Sequence, residues 1–112
     1  MILAMLRCWD IRRADVNWLD EPNHWKPRPV ILLDQTDDGN GWYAVYVTSK
    51  VSRYAHRSDA VKLDWRREGL DRPSLALCDE ILIINNEDIH ERLGILTPRD
   101  VNMVEDRVEW DE

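Results

Sequence analysis

The fold is built on three successive stretches of the chain: Val30-Ile-Leu-Leu33, the turn-forming Thr36-Asp-Asp-Gly-Asn-Gly41 and Trp42-Tyr-Ala-Val-Tyr-Val-Thr48. The first run is continuously apolar and has the length of a strand that is buried on both faces. The middle segment is dense in residues that favour turns. The last run is rich in β-branched and aromatic residues, which favour strands. Together the three stretches predict a β-hairpin.

More short strands are predicted on both sides of this hairpin. Apolar or alternating runs indicate strands at 15–19, 60–64, 74–78, 81–84 and 89–96. Three prolines predict a loop at 20–29. The polar and basic residues 49–59 predict an exposed, mobile loop, and residues 85–88 predict a turn or a single helical turn.

A helix is predicted from Thr97 to the end of the chain, near Trp110. Thr97 suits the N-cap, Pro98 suits the first helical position, and Asp100 is placed to reach back as in a capping box. An apolar face at helical spacing is formed by Val101, Val104 and Val108. Many short strands followed by one helix predict a mainly β fold, a small β-barrel with a C-terminal α-helix.

Length and composition limit the function classes. The 112 residues suit one domain, 1–112, and 44% hydrophobic with 33% charged residues predicts a chain that folds on its own. No apolar run approaches the roughly 20 residues that span a bilayer. The short apolar start lacks the features of a signal peptide, so we expect a cytoplasmic protein without membrane contact. Two isolated cysteines match no zinc or redox spacing.

Charge is distributed unevenly along the chain. The net charge of -7 argues against tight non-specific binding to nucleic acid. Residues 1–72 nevertheless carry +1, whereas residues 73–112 carry -8. Any surface that binds RNA is therefore expected from the first two thirds of the chain. The acidic end is equally explained as a solvated helix face.

Five segments in this order resemble the MazF/PemK family of type II toxin–antitoxin endoribonucleases. They lie between residue 12 and about residue 108: Asp15-Val-Asn-Trp-Leu19, Lys26-Pro-Arg-Pro-Val-Ile-Leu-Leu-Asp34, Val45-Tyr-Val-Thr-Ser-Lys50, Gly69-Leu-Asp-Arg-Pro-Ser-Leu-Ala-Leu-Cys-Asp-Glu80 and Arg92-Leu-Gly-Ile-Leu-Thr-Pro-Arg-Asp-Val101. The resemblance implies an SH3-like barrel of the CcdB/MazF type. It also implies a homodimer, a cognate antitoxin protein as inhibitor, and sequence-specific cutting of single-stranded RNA or mRNA without a metal or cofactor.

The resemblance implies that Arg28 and Thr48 are the catalytic residues. Metal-free cutting of RNA can use the substrate's own 2′-hydroxyl as nucleophile, which leaves a 2′,3′-cyclic phosphate and a 5′-hydroxyl. An arginine can grip two phosphate oxygens, and a threonine hydroxyl can donate a hydrogen bond to the phosphate. From the residues alone, Arg28 is also explained as a surface arginine and Thr48 as an ordinary strand residue.

Other residues near these two are candidates for accessory roles. Ser49 and Lys50 follow Thr48 directly. His24, His56 and Glu21 can carry protons. The proline-rich segment adds Trp25 and Lys26, and a basic stretch with Lys50, Arg53, Tyr54, His56 and Arg57 can hold single-stranded RNA by phosphate contacts and stacking. The alternatives are half-buried packing for Trp25 and a solvated loop for the basic stretch.

Two other function classes remain open at this stage. One is a non-enzymatic toxin that, like CcdB, acts on a protein target. The other is a barrel that has lost both roles and serves only as a binding module for a protein partner, an alternative that the acidic net charge keeps open. Loss of both RNA cutting and growth arrest in Arg28→Ala is the result that separates the nuclease from these alternatives.

Overall fold

The computed structural model of the chain describes residues 5–18 and 21–108, with the backbone alone for Trp18 and residues 21–25. Its helices and strands, in chain order, are β1 (Asp10–Trp18), β2 (Glu21–Gln35), β3 (Gly41–Thr48), α1 (Val51–Tyr54), β4 (Ala60–Lys62), β5 (Leu75–Asn85), β6 (Ile89–Ile95) and α2 (Pro98–Arg107). The six strands form one sheet with the order β4-β5-β3-β2-β1-β6, and every pairing is antiparallel.

The predicted central hairpin is confirmed. Strands β2 and β3 pair with Ile31 opposite Val45. The turn between them closes with a hydrogen bond of 2.9 Å from the Thr36 N–H to the Gly41 carbonyl, and Gly39 has a φ of +75°, which glycine adopts without steric cost.

Residues 30–33 are buried on both faces of the sheet, as predicted. Ile31 and Leu33 belong to one apolar cluster, and Val30 and Leu32 belong to a second cluster on the opposite face. Helix α2 covers the first cluster with the buried Val104. The sheet is therefore the middle layer of the fold, and packing on both of its faces holds the backbone in place at the ends of its strands.

The predicted loop at 20–29 is wrong, because β2 begins at Glu21. Over this segment β2 pairs with β1, with Pro27 opposite Asp15 and Pro29 opposite Arg13. Pairing with β3 begins only at Val30. Strand prolines are tolerated where one side of the strand has no ladder, because the missing N–H can face that open side.

The fold is mainly β with a C-terminal helix, as predicted. The small β-barrel of the prediction has the form of an open sheet, which ends at β4 and β6, and over residues 5–18 and 21–108 no ladder joins these two strands. The predicted fold class is confirmed, and the word barrel describes this sheet only loosely.

Three local predictions also change. The stretch 49–59 contains helix α1 and the buried Tyr54, so it is not an exposed loop throughout. The two predicted strands at 74–78 and 81–84 are one strand, β5, with an irregular register where β3 passes from Ala44 to Tyr46. The strand predicted at 60–64 is shortened to β4, whereas the turn at 86–88 and strand β6 agree with the sequence.

Helix α2 begins as predicted and ends earlier. The Thr97 hydroxyl accepts a hydrogen bond of 3.4 Å from the Asp100 N–H. The reciprocal half of the capping box is absent, because the Thr97 N–H donates to Glu68 instead, at 2.8 Å. The helix ends at Arg107, and the predicted end near Trp110 lies outside the described residues. Among the helices of the described part, none is long and apolar enough to cross a membrane.

Candidate active site

Strands β2 and β3 separate at one end of the sheet and leave a cleft between them. Their last pair is Val30 and Tyr46. Arg28 lies two residues before Val30, and Thr48 lies two residues after Tyr46. Since side chains alternate between the faces of a strand, Arg28 and Thr48 project from the same face as that last pair. The cleft is thus framed by the two residues that the sequence predicted to be catalytic.

The cleft has a volume of about 400 Å³. Its walls are formed by the middle of β2, the end of β3 with the residues after it, the loop between β4 and β5, and one residue each from β1 and β6. The lining residues are Arg13, Arg28, Pro29, Val47, Thr48, Ser49, Lys50, Gly69, Leu70, Asp71, Arg72, Ser74 and Leu93. Arg28, Thr48, Ser49 and Lys50 are therefore brought together.

The lining of the cleft has a net positive charge, whereas the whole chain has a net negative charge. Its lining contains four cationic side chains, Arg13, Arg28, Lys50 and Arg72, and one carboxylate, Asp71. Arg13 lies 3.4 Å from Glu91, and Arg72 lies 3.4 Å from Asp71, and all four of these side chains are more than 40% exposed. Exposed pairs of this kind bind weakly, so an anion in the cleft can compete for both arginines.

Arg28 is half-buried and lies between Pro27 and Pro29 on β2, opposite Ala14. The two prolines fix their own backbone torsions on both sides of the arginine. The charge of Arg28 affects the pKa of the Tyr46 phenol. Burial and the Glu80 carboxylate raise this pKa, whereas the positive charge of Arg28 lowers it in part. The Arg28 guanidinium therefore lies close enough to Tyr46 for its charge to act on the phenol.

Thr48 is buried at the end of β3, and its hydroxyl accepts a hydrogen bond of 3.1 Å from the Lys50 N–H. A hydroxyl that accepts one hydrogen bond can still donate another. The Thr48 side chain is thus fixed by the turn that follows it and can donate to an oxygen anion in the cleft. Ser49 and Lys50 are exposed at the rim of the cleft.

Three predicted accessory residues lie outside the cleft lining. Lys26 is exposed on β2. The Arg53 guanidinium lies 5.6 Å from the centre of the Tyr54 ring on α1, and His56 is exposed after this helix. Their contacts with RNA stay predictions. The side chains of Glu21, His24 and Trp25 lie outside the described part of the structure, so their roles stay predictions as well.

Sequence reasoning missed Arg13 and Arg72. Arg13 lies on β1 opposite Pro29, next to the pair of Ala14 and Arg28. The alternating pattern predicts a first strand only from residue 15, whereas β1 begins at Asp10 and so places Arg13 beside Arg28. Arg72 was assigned only to a turn, and no local pattern shows that this turn folds over the end of β3.

Comparisons with known proteins agree with the fold. The model of the family described as PemK-like, MazF-like toxin of type II toxin–antitoxin system matches residues 7–110. Among solved structures, the Mycobacterium tuberculosis toxin MazF-mt6 is similar, with a TM-score of 0.68, 22% identity, and coverage of 90% of this chain and 99% of that one.

A second solved structure is an endoribonuclease in complex with its cognate antitoxin from a mycobacterial species. It has a TM-score of 0.68 and 15% identity, and the match covers 90% of this chain and 88% of that one. A comparison with curated proteins finds no significant match. The two structural similarities show the fold, and the family match over nearly the whole chain shows the family. The chain belongs to the PemK-like, MazF-like toxins of type II toxin–antitoxin systems.

Proposed function

We propose that this toxin is an endoribonuclease that cuts single-stranded RNA in the cleft between β2 and β3. The observation that carries the proposal is the juxtaposition of Arg28 and Thr48 in one cleft with a surplus of positive charge. A guanidinium and a hydroxyl are the groups that a phosphodiester needs from a protein when the RNA supplies its own nucleophile.

The reaction proceeds by transfer within the RNA backbone. The 2′-oxygen attacks the adjacent phosphorus, a new P–O bond forms, and the bond to the 5′-oxygen of the next nucleotide breaks. A base accepts the proton of the 2′-hydroxyl, and an acid supplies a proton to the departing 5′-oxygen. Because the nucleophile already lies next to the phosphorus, much of the entropic barrier is removed.

Arg28 and Thr48 act on the phosphoryl oxygens in this scheme. Negative charge grows on the two non-bridging oxygens in the transition state, and the Arg28 guanidinium can donate to both of them. Thr48 donates its hydroxyl hydrogen to one of them. Glu21 and His24, which precede Arg28 on β2, are our candidates for the base and the acid.

The lining of the cleft favours phosphate as its ligand. Four cations and one carboxylate suit an anionic backbone and do not suit a divalent cation, which prefers clustered oxygen or nitrogen donors. We therefore propose cutting without a metal. Arg13 and Arg72 also line the cleft and are proposed to bind neighbouring phosphates of the same strand.

We also propose that the toxin acts as a homodimer and is inhibited by a cognate antitoxin protein. Support for the antitoxin comes from the family and from the similar endoribonuclease that was solved with its antitoxin. An antitoxin that inhibits cutting is expected to block access to the cleft. RNA cutting should therefore be abolished when enough antitoxin has been added to occupy one binding site for each cleft.

Arg28→Ala tests the proposal, with Arg57→Ala as the matched control. Both changes remove one arginine, but Arg57 lies outside the cleft lining and pairs with Asp59 and Asp79. We expect Arg28→Ala to lower kcat/KM for RNA about 10²- to 10³-fold and to abolish growth arrest, whereas Arg57→Ala retains both. Growth arrest that survives Arg28→Ala would instead favour the toxin that acts on a protein target.

A further inference from the structure

Two acidic side chains are buried together where the loop before β5 meets the start of α2. Glu68 is 1% exposed and Asp100 is 0% exposed. One oxygen of Glu68 accepts hydrogen bonds from the Thr97 N–H at 2.8 Å and from the Thr97 hydroxyl at 3.0 Å. One oxygen of Asp100 accepts from the Asp64 N–H at 2.7 Å. These bonds join the loop to the helix.

Each carboxyl group has a second buried oxygen that finds no donor among the described residues, Glu68 Oε1 and Asp100 Oδ1. Buried polar atoms are nearly always hydrogen-bonded. A single proton satisfies both oxygens at once, because a protonated Glu68 can donate to the Asp100 carboxylate.

The surrounding charges fit one negative charge at this pair. Arg99, on the first turn of α2, lies 3.6 Å from Asp100 Oδ1. On the loop itself, Asp64 and Arg67 pair with each other at 3.6 Å and are more exposed. Strand β6 contributes the backbone of Gly94. One cation beside the pair balances one negative charge, so a single proton on the pair leaves no second negative charge to be compensated.

The loop that Glu68 anchors is a wall of the cleft. Residues Gly69, Leu70, Asp71 and Arg72, which follow Glu68 directly, line the cleft. The backbone behind them is in close contact with β6: a Cβ on Gly94 would overlap the Glu68 carbonyl oxygen, and a Cβ on Gly69 would overlap the Leu93 carbonyl oxygen. The position of residues 69–72 in the cleft therefore depends on the contacts that the loop makes at the buried Glu68.

We propose that Glu68 is a positioning residue, and that a proton shared between Glu68 and Asp100 holds the 69–72 wall of the cleft against α2. Loss of this proton places two carboxylates against each other in a buried site, and the repulsion is relieved when the wall moves away from the helix. The effect on RNA cutting rests on the function proposed above, whereas the shared proton does not.

The direction of the pH effect follows from the site. Burial, followed by the hydrogen bond with Asp100, raises the pKa of Glu68 from 4.5 to about 7, against the opposing effect of the Thr97 N–H. The folded state thus holds a proton that the unfolded chain releases. Stability from this group is complete below about pH 4.5 and is lost as the pH rises through about 7.

Glu68→Gln tests the shared proton, with Glu105→Gln as control, since Glu105 is exposed on α2. A glutamine amide can donate to Asp100 and accept from Thr97 at every pH. In denaturant titrations between pH 5.5 and 8.5, the unfolding constant of the wild type should rise roughly 30-fold relative to that of Glu68→Gln. Glu105→Gln should follow the wild type. If the unfolding constants of the wild type and of Glu68→Gln changed in parallel with pH, the proposal of a shared proton would be refuted.

Asp100→Asn gives an independent check. Its amide can donate to an ionised Glu68 while its carbonyl accepts from Asp64, so this variant should also lose the pH-dependent difference. The double variant should show no further change, because the same proton is removed in each case. A pH dependence that persists in Asp100→Asn would assign the titration to another group.

The wall is tested by amide hydrogen exchange and by RNA cutting. Corrected for intrinsic rates, the Leu70 amide, which donates to the Trp65 carbonyl at 2.9 Å, should lose protection above pH 7 in the wild type and retain it in Glu68→Gln. The kcat/KM of the wild type should fall several-fold relative to Glu68→Gln between pH 6.5 and 8.5. If the protection of the Leu70 amide did not change with pH, the proposed movement of the wall would be refuted. This result does not depend on whether the protein cuts RNA.

Discussion

The cleft and the region around Arg57 both contain arginine, yet they use its charge in opposite ways. Around Arg57, one guanidinium is bound by two carboxylates: it lies 3.0 Å from Asp59 and also pairs with Asp79. The lining of the cleft contains four cations and one carboxylate, and the ion pairs that Arg13 and Arg72 make there are exposed. The charge of Arg57 is thus neutralised within the protein, whereas the exposed cleft cations Arg13 and Arg72 can exchange their carboxylate partners for a ligand.

This difference explains how an acidic chain can be expected to bind RNA. The net charge of -7 describes the whole chain, but attraction at short range depends on the charges that line the binding surface. All four cleft cations come from the first 72 residues. The basic stretch from Lys50 to Arg57, which suggested one RNA-binding loop, is divided: Lys50 lines the cleft, and Arg57 stabilises the fold.

After Arg28→Ala, the largest effect on RNA cutting is expected at Thr48. Thr48→Val removes the hydroxyl from a buried position at nearly constant volume, and Thr48→Ser keeps it. We expect a loss of about 10²-fold in kcat for the valine variant with little change in KM, because the hydrogen bond strengthens only as charge develops. The serine variant should stay within several-fold of the wild type. Equal loss in both variants would mean that the hydroxyl is not the active group.

A smaller effect is expected at Arg13 and Arg72, the two cleft cations that the sequence did not reveal. Each alanine variant should raise KM for RNA roughly 10-fold, and each should make the dependence of log affinity on log salt shallower by about 0.7. Arg67→Ala is the control, because Arg67 is 81% exposed and lies outside the cleft lining. An equal change in the Arg67 variant would mean that the cleft has no special role in binding.

The smallest effect on RNA cutting is expected at Arg57. Although burial acts in the opposite direction, hydrogen bonds from Arg57 and from the Asp79 N–H lower the pKa of Asp59. Arg57→Ala should therefore cost about 1–2 kcal/mol of the free energy of unfolding near neutral pH while kcat/KM stays unchanged. Because the pKa of Asp59 is depressed in the folded state, this contribution exists above about pH 4 and is lost as the pH falls further. Denaturant titrations at pH 7 and pH 3 check both statements.

The central hairpin could be predicted from the sequence because its signals are local. The apolar run, the turn formers and the β-branched strand each specify their own conformation, and Val30 and Tyr46 pair as neighbours in the hairpin. The positions of Arg28 and Thr48 follow from that pairing together with the resemblance to the family.

The rest of the cleft could not be predicted, because it depends on contacts between distant segments. The prolines of 20–29 indicated a loop, but β1 pairs with this segment on one side, which the local pattern does not show. Arg72 reaches the cleft only because Gly69 and Gly94 let the loop and β6 approach closely. Glu68 is an ordinary charged residue in the sequence, and only the fold buries it beside Asp100.

The most direct test of the account uses one RNA and its 2′-deoxy counterpart. The purified toxin is incubated in EDTA with a single-stranded RNA, the cut position is mapped, and the same RNA is then made with a 2′-deoxy nucleotide immediately before the cut. We expect 2′,3′-cyclic phosphate and 5′-hydroxyl ends for the RNA, and no cutting at the substituted position. Cutting of the substituted strand at that position, or 5′-phosphate ends, would overturn the proposed attack by the 2′-oxygen.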